Sequence, residues 1–71
     1  MTGIAVRFDE EVCCLCLTKG DERYTLLFTP LTVRQALQAV GRWAAHPQLS
    51  FSWYDAAVLG QAIRKSAREM G

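Results

Sequence analysis

The chain is predicted to be an α+β domain. A three-stranded antiparallel β-meander over about residues 4–8, 12–18 and 23–28 is followed by an antiparallel α-helical hairpin over about 33–45 and 53–69, packed on one sheet face. Three observations predict it. Up to Phe28 the apolar residues fall in short β-branched, aromatic or cysteine-rich runs, and after it they recur at helical spacing. The turn-rich segments "DEE" and "KGDE" separate the first three runs. Hydroxyl residues open the last two, and Pro47 closes the first of them.

The strands also predict their own register. If Gly20-Asp21 is a two-residue loop with glycine first, as a type II′ turn requires, Lys19 faces Glu22. Leu17, Leu15 and Cys13 then face Tyr24, Leu26 and Phe28. A first loop of four residues, Asp9 to Val12, adds Ile4, Val6 and Phe8 to the same face, which is large and apolar and which the helices are expected to cover. The opposite face carries Ala5, Arg7, Val12, Cys14, Cys16, Thr18, Arg23, Thr25 and Leu27 and is only half apolar.

For the first helix, Thr32 as N-cap with Gln35 three residues on predicts a capping box. Val33, Ala36, Leu37, Val40, Trp43 and Ala44 form its inward stripe, and the helix ends before Pro47 because a proline pushes the preceding residue out of the helical region. His46-Pro47 reads as the stop, with the imidazole at the negative end of the helix. For the second helix, Ser52 is the N-cap and Asp55 the third helical residue. Ala56, Leu59, Gly60, Ile63, Ala67 and Met70 face inward. Gly41 and Gly60 are expected to let the two helix backbones approach closely, and Leu49 and Phe51 to plug the open end of the pair.

A chain of 71 residues fits one domain, residues 1–71, and one so small buries only about 60 % of the surface its unfolded chain exposes. The 51 % hydrophobic and 21 % charged composition excludes a disordered chain. The longest apolar run, Val12 to Leu17, is far shorter than the roughly 20 residues a membrane span needs, and Thr2 to Phe8 has no secretory-signal pattern. Three cysteines, two of them adjacent, do not suit a disulfide framework, so a reduced, cytoplasmic setting is expected.

Four constellations bear on function. Cys14 and Cys16 share a face and offer two thiolates, but structural zinc takes four ligands and the chain's single histidine lies in the interhelical loop; small apolar packing residues are the simpler reading, with a reactive thiol, or a metal site between two copies, at Cys14/Cys16 as a third hypothesis. One histidine, no phosphate loop and no nucleophile–base pair argue against catalysis, and no cofactor is expected.

Net charge is +1, divided as −2 over residues 1–30 and +3 over 31–71. The basic set Arg34, Arg42, Arg64, Lys65 and Arg68 lies on outward helix faces and suggests, as an alternative, a nucleic-acid-binding regulator. "RYTLLF" with the two helices resembles, in topology only, the ribbon-helix-helix DNA binders; the resemblance implies a strand reading the major groove, with Arg23 and Thr25 as its polar readers. Here that strand is already paired with its hairpin neighbour. Finally, Tyr54 and Val58 point away from the inward stripe, while Trp43 and Trp53 sit at the hairpin's open end, where they are expected to cap the core. Together with Cys14, Cys16 and Leu27 on the uncovered sheet face, Tyr54 and Val58 are the expected partner contacts. The expected function is therefore binding of a protein, most simply a second copy as a homodimer, by pairing of an edge such as Ile4 to Phe8 or Tyr24 to Phe28 or by stacking of the Cys14/Cys16 face.

Overall fold

A computed structural model of the chain describes residues 2–70. Strands β1 (Thr2–Asp9), β2 (Val12–Lys19) and β3 (Glu22–Phe28) precede helices α1 (Val33–Ala45) and α2 (Trp53–Met70), and the sheet order is β1-β2-β3, antiparallel throughout. The α+β expectation holds, with every boundary within two residues. Both registers are as expected: Leu17 pairs with Tyr24, Leu15 with Leu26 and Cys13 with Phe28, while Ile4, Val6 and Phe8 pair with Leu17, Leu15 and Cys13.

The first loop is tighter than expected, since Asp9 and Val12 pair and leave only Glu10 and Glu11 in the turn. Glu10 and Gly20, each the first loop residue of its hairpin, have φ of 57° and 60°. Glycine adopts that region without penalty; a glutamate there costs about 1–2 kcal/mol.

In a two-residue hairpin the residues flanking the loop exchange both backbone hydrogen bonds, and the bonded pairs then alternate along the ladder. Asp9, Arg7, Ala5 and Gly3 thus bond to β2, and the N–H and C=O groups of Ile4, Val6 and Phe8 point away from the sheet. The same rule applied to Lys19–Glu22 makes the odd residues of β2 bond to β3, so each β2 residue has one neighbour to bond.

The core lies between the sheet and the helix pair. Cys13, Leu15 and Leu17 of β2, Tyr24, Leu26 and Phe28 of β3, Ala36 and Val40 of α1, Phe51, and Leu59 and Ile63 of α2 are buried. Phe51 plugs the open end as expected, with Leu49 packed partly behind it. Tyr24, Trp43 and Phe51 form a tilted aromatic cluster with ring centroids 4.9–5.6 Å apart, and such pairs contribute about 0.5–1.5 kcal/mol each beyond their burial. The Tyr24 hydroxyl donates to Glu22 Oε1 at 2.5 Å. That bond, and then burial, pushes the phenol up to about 12. Trp43 caps the core, but Trp53 is 65 % exposed and does not.

The helix pair sits off-centre. Helix α2 packs on β2 and α1 on β3, while neither helix backbone approaches β1. The expectation that the helices cover Ile4, Val6 and Phe8 is therefore corrected: these residues share the helix-side face but remain 37 %, 46 % and 45 % exposed. Width is not the reason, because two helices of about 10 Å could span three strands spaced about 4.8 Å apart. Anchoring is. Only residues 29–32 separate β3 from α1, and the aromatic cluster holds the far end of α1 over β3.

Two local expectations also change. Thr32 makes no side-chain cap bond to α1. Its Oγ1 instead accepts the Thr29 N–H at 2.9 Å, while Thr29 Oγ1 accepts the Leu31 N–H at 3.1 Å, so the two hydroxyls are used to fold the link. Gly41 and Gly60 are not needed for close approach. A Cβ on Gly41 would meet nothing within 4 Å, and one on Gly60 would meet Leu37 Cδ2 at an ordinary 3.7 Å. Gly41→Ala should therefore stabilise the protein by about 0.5–1 kcal/mol through helix propensity alone. A urea titration checks this, and a lower midpoint would show that the position needs glycine for packing.

Candidate protein-interaction site

The displacement of the helices opens a cleft of about 270 Å³ between β1 and α2, lined by Gly3, Ile4, Leu17, Tyr54, Asp55 and Val58. Its sheet side continues along β1 as the strip Ile4, Val6, Phe8. Its helix side presents Tyr54, 77 % exposed, and the half-buried Val58. Two of the expected partner contacts thus share a cleft with Ile4, the first of three apolar β1 side chains that were expected to be core. An apolar strip and an unpaired strand edge occur on the same three residues.

The start of α2, and with it Tyr54, is fixed by one polar knot. Lys19 Nζ donates to Asp55 Oδ2 and to the Ser50 carbonyl, both at 2.6 Å. Oδ2 also accepts the Ser52 N–H and the Ser52 hydroxyl at 3.0 Å, and Ser52 Oγ accepts the Asp55 N–H at 3.1 Å, which completes the expected capping box. Burial, the largest single influence, pushes the Asp55 carboxyl up, but Lys19 and the two Ser52 donors together outweigh it and hold the carboxyl below its ordinary value.

The sequence signal for this pair was strand parity. Lys19 alternates with Leu17 onto the helix-side face, where a lysine needs an acceptor, and Asp55 is the buried carboxylate at that end. Reading Lys19 only against Glu22 missed it.

The remaining expected contacts lie elsewhere. Leu27, 69 % exposed, and the half-buried Cys14 are on the opposite sheet face, where a shallow hollow of about 410 Å³ is lined by Arg7, Asp9, Val12, Cys14 and Leu27. Cys16, also half-buried, is not part of that hollow; its sulfur accepts the Thr25 hydroxyl at 3.7 Å. The structure therefore does not bring Tyr54 and Val58 together with Cys14, Cys16 and Leu27. Cys13 is fully buried on the helix side, as the register implied, and burial pushes its thiol up against a smaller opposing pull from a Ser66 hydrogen bond. Among the described residues no group of three or more His, Cys, Asp or Glu could hold a metal ion; Cys14 and Cys16 alone supply too few ligands for structural zinc.

The basic side chains Arg34, Arg42, Arg64, Lys65 and Arg68 are all exposed. Arg64 lines a groove of about 320 Å³ on the outer side of the helix pair, floored by Gly41 and Gly60 and flanked by Leu37 and Trp53. None of the other four lines it. The His46 imidazole is occupied locally: Nδ1 accepts the Gln48 N–H at 3.2 Å just past the end of α1.

No family model matches the chain, and no curated protein or solved structure matches it. No described helix is long and apolar enough to cross a membrane.

Lys19→Met should destabilise the protein by about 2–3 kcal/mol, because it strands a buried carboxylate. The figure falls below that of a fully buried pair, since the Lys19 side chain is 30 % exposed. The folded carboxyl of Asp55 lies below its unfolded value, so its contribution is complete above about pH 4 and is lost as pH falls through the folded value. Urea midpoints measured from pH 6 to pH 2 should show this acid-side loss in the wild type and a shallower one in Asp55→Asn.

Thiol titration supplies a separate check on the sheet. Cys14 and Cys16 should react with a disulfide reagent in the native state, and Cys13 only when the protein unfolds. Prompt reaction of Cys13 would contradict the register.

Proposed function

We propose that the chain is a small protein-interaction domain, acting by self-association or by holding a protein partner and performing no catalysis of its own. The observation that carries this reading is the coincidence of an open strand edge with the bare apolar strip Ile4, Val6, Phe8, whose Ile4 end opens into the cleft lined by Tyr54 and Val58. A protein segment suits both parts: its backbone can bond the outward N–H and C=O groups of β1, and its alternate side chains can lie on the strip. A solvated edge strand with no further role would be expected to carry lysine, proline or a bulge; the helix side of β1 carries none from Ile4 to Phe8. Three free thiols fit a reduced, cytoplasmic compartment.

The alternative, nucleic-acid binding through Arg34, Arg42, Arg64, Lys65 and Arg68, is supported by the exposure of all five. It is weakened by a net charge of only +1. Phosphate contacts are strongest at low ionic strength, so a mobility shift there separates the readings.

The direct test is native mass spectrometry of the protein isolated under non-denaturing conditions. A protein complex, with itself or another chain, that disappears on Val6→Lys supports the reading. Isolation of the free chain only contradicts it, and a complex indifferent to Val6→Lys contradicts the β1 site while leaving the protein-interaction reading in place.

A further inference from the structure

We infer that the occupant of the β1 edge is a second copy of this chain, paired antiparallel through β1 about a two-fold axis at Val6. This rests on the protein-interaction reading above and names its partner.

The outward-pointing backbone groups of β1 belong to Ile4, Val6 and Phe8, whose side chains also form the bare strip. A two-fold axis perpendicular to the sheet keeps each face on its own side, so residues of one face oppose residues of the same face. With the axis at Val6, Val6 opposes Val6 of the second copy and Ile4 opposes Phe8. Each of the three pairs exchanges two backbone bonds, six in all, counted from the alternation of an antiparallel ladder.

Neighbouring registers do worse. An axis at Arg7 places two arginines directly opposite each other, a destabilising like-charge pair. An axis at Ala5 leaves Phe8 opposite Thr2 rather than an apolar residue. At Val6 the three apolar residues match one another, and on the other face Arg7 opposes the small Ala5 while Asp9 opposes Gly3.

The chain exposes 4992 Å², somewhat above the roughly 4,400 Å² of a compact monomer of its 7.9 kDa mass, and its β1 strip is part of that surface. The resulting six-stranded sheet would have order β3-β2-β1-β1-β2-β3. Both helix pairs would lie on one face, with the two β1 strands running between the α2 helices. Tyr54 and Val58 of each copy would then wall the channel in which Ile4, Val6 and Phe8 meet. The opposite edge offers no comparable strip, because Tyr24, Leu26 and Phe28 of β3 are already buried under α1.

Sedimentation equilibrium, combined with isotope-filtered NMR on an equal mixture of labelled and unlabelled chains, tests the proposal. The expected result is a monomer–dimer equilibrium with an interchain contact between the Hα protons of Ala5 and Arg7, the close non-hydrogen-bonded pair of this register. Val6→Lys should weaken dimerisation roughly a hundred-fold or more, whereas Leu27→Lys on the other sheet face should leave it unchanged. A wild-type monomer at high micromolar concentration overturns the proposal. If that monomer loses a different native protein partner on Val6→Lys, the second copy is excluded and the protein-interaction reading survives. A dimer whose interchain contacts run through Cys14 and Leu27 likewise overturns the β1 pairing while leaving self-association in place.

Discussion

The position of the helix pair relative to the sheet is the constraint from which the other features follow. Helix α1 is tied to β3 through the short link 29–32, and its far end is held there by Tyr24, Trp43 and Phe51. Helix α2 must pack beside α1, and its first turn is drawn to the end of β2 by Lys19 and Asp55. These anchors place the pair over β3 and β2. The central strand is consequently buried completely on the helix side at Cys13, Leu15 and Leu17, and the third strand is left without a roof.

That arrangement gives β1 its unusual character. A strand paired on one edge and bare on one face exposes backbone and apolar side chain together, and the two-residue hairpin places both on Ile4, Val6 and Phe8. The charged residues of the strand, Arg7 and Asp9, are on the other face and do not protect the strip. Asp55 links this surface to the stability of the fold, because it caps α2, pairs with Lys19 and lines the cleft beside Tyr54. Loss of the ion pair should therefore disturb the cleft before it disturbs the hairpins, whose registers depend on turns and core contacts further along β2.

Most of the fold was legible in the sequence because its signals are local. The turn at Gly20-Asp21 set the β2–β3 register, the alternation after it assigned each cysteine to a face, and Ser52 with Asp55 marked the start of α2. What was not legible depends on distance in the chain. Ile4, Val6 and Phe8 show the same alternation as Leu15 and Leu17, so no local pattern distinguishes a covered apolar face from a bare one; the lateral position of the helices decides it. Thr32 has the composition of an N-cap, but Thr29 offers its hydroxyl a nearer donor. The candidate site was legible in part: Tyr54 and Val58 were separable from the core stripe on the helical wheel and Ile4 to Phe8 was separable as a free edge, while the bare helix-side face of that strand was not.

The central claim, that β1 has one free edge within the chain, is tested most directly by amide hydrogen exchange along that strand as protein concentration is varied. In dilute solution Ala5 and Arg7, bonded to β2, should be protected while Ile4, Val6 and Phe8 exchange freely. Raising the concentration should slow the second set and leave the first unchanged. Equal protection of all five amides at a concentration where the protein sediments as a monomer would mean that β1 is already covered within a single chain, and would contradict the account.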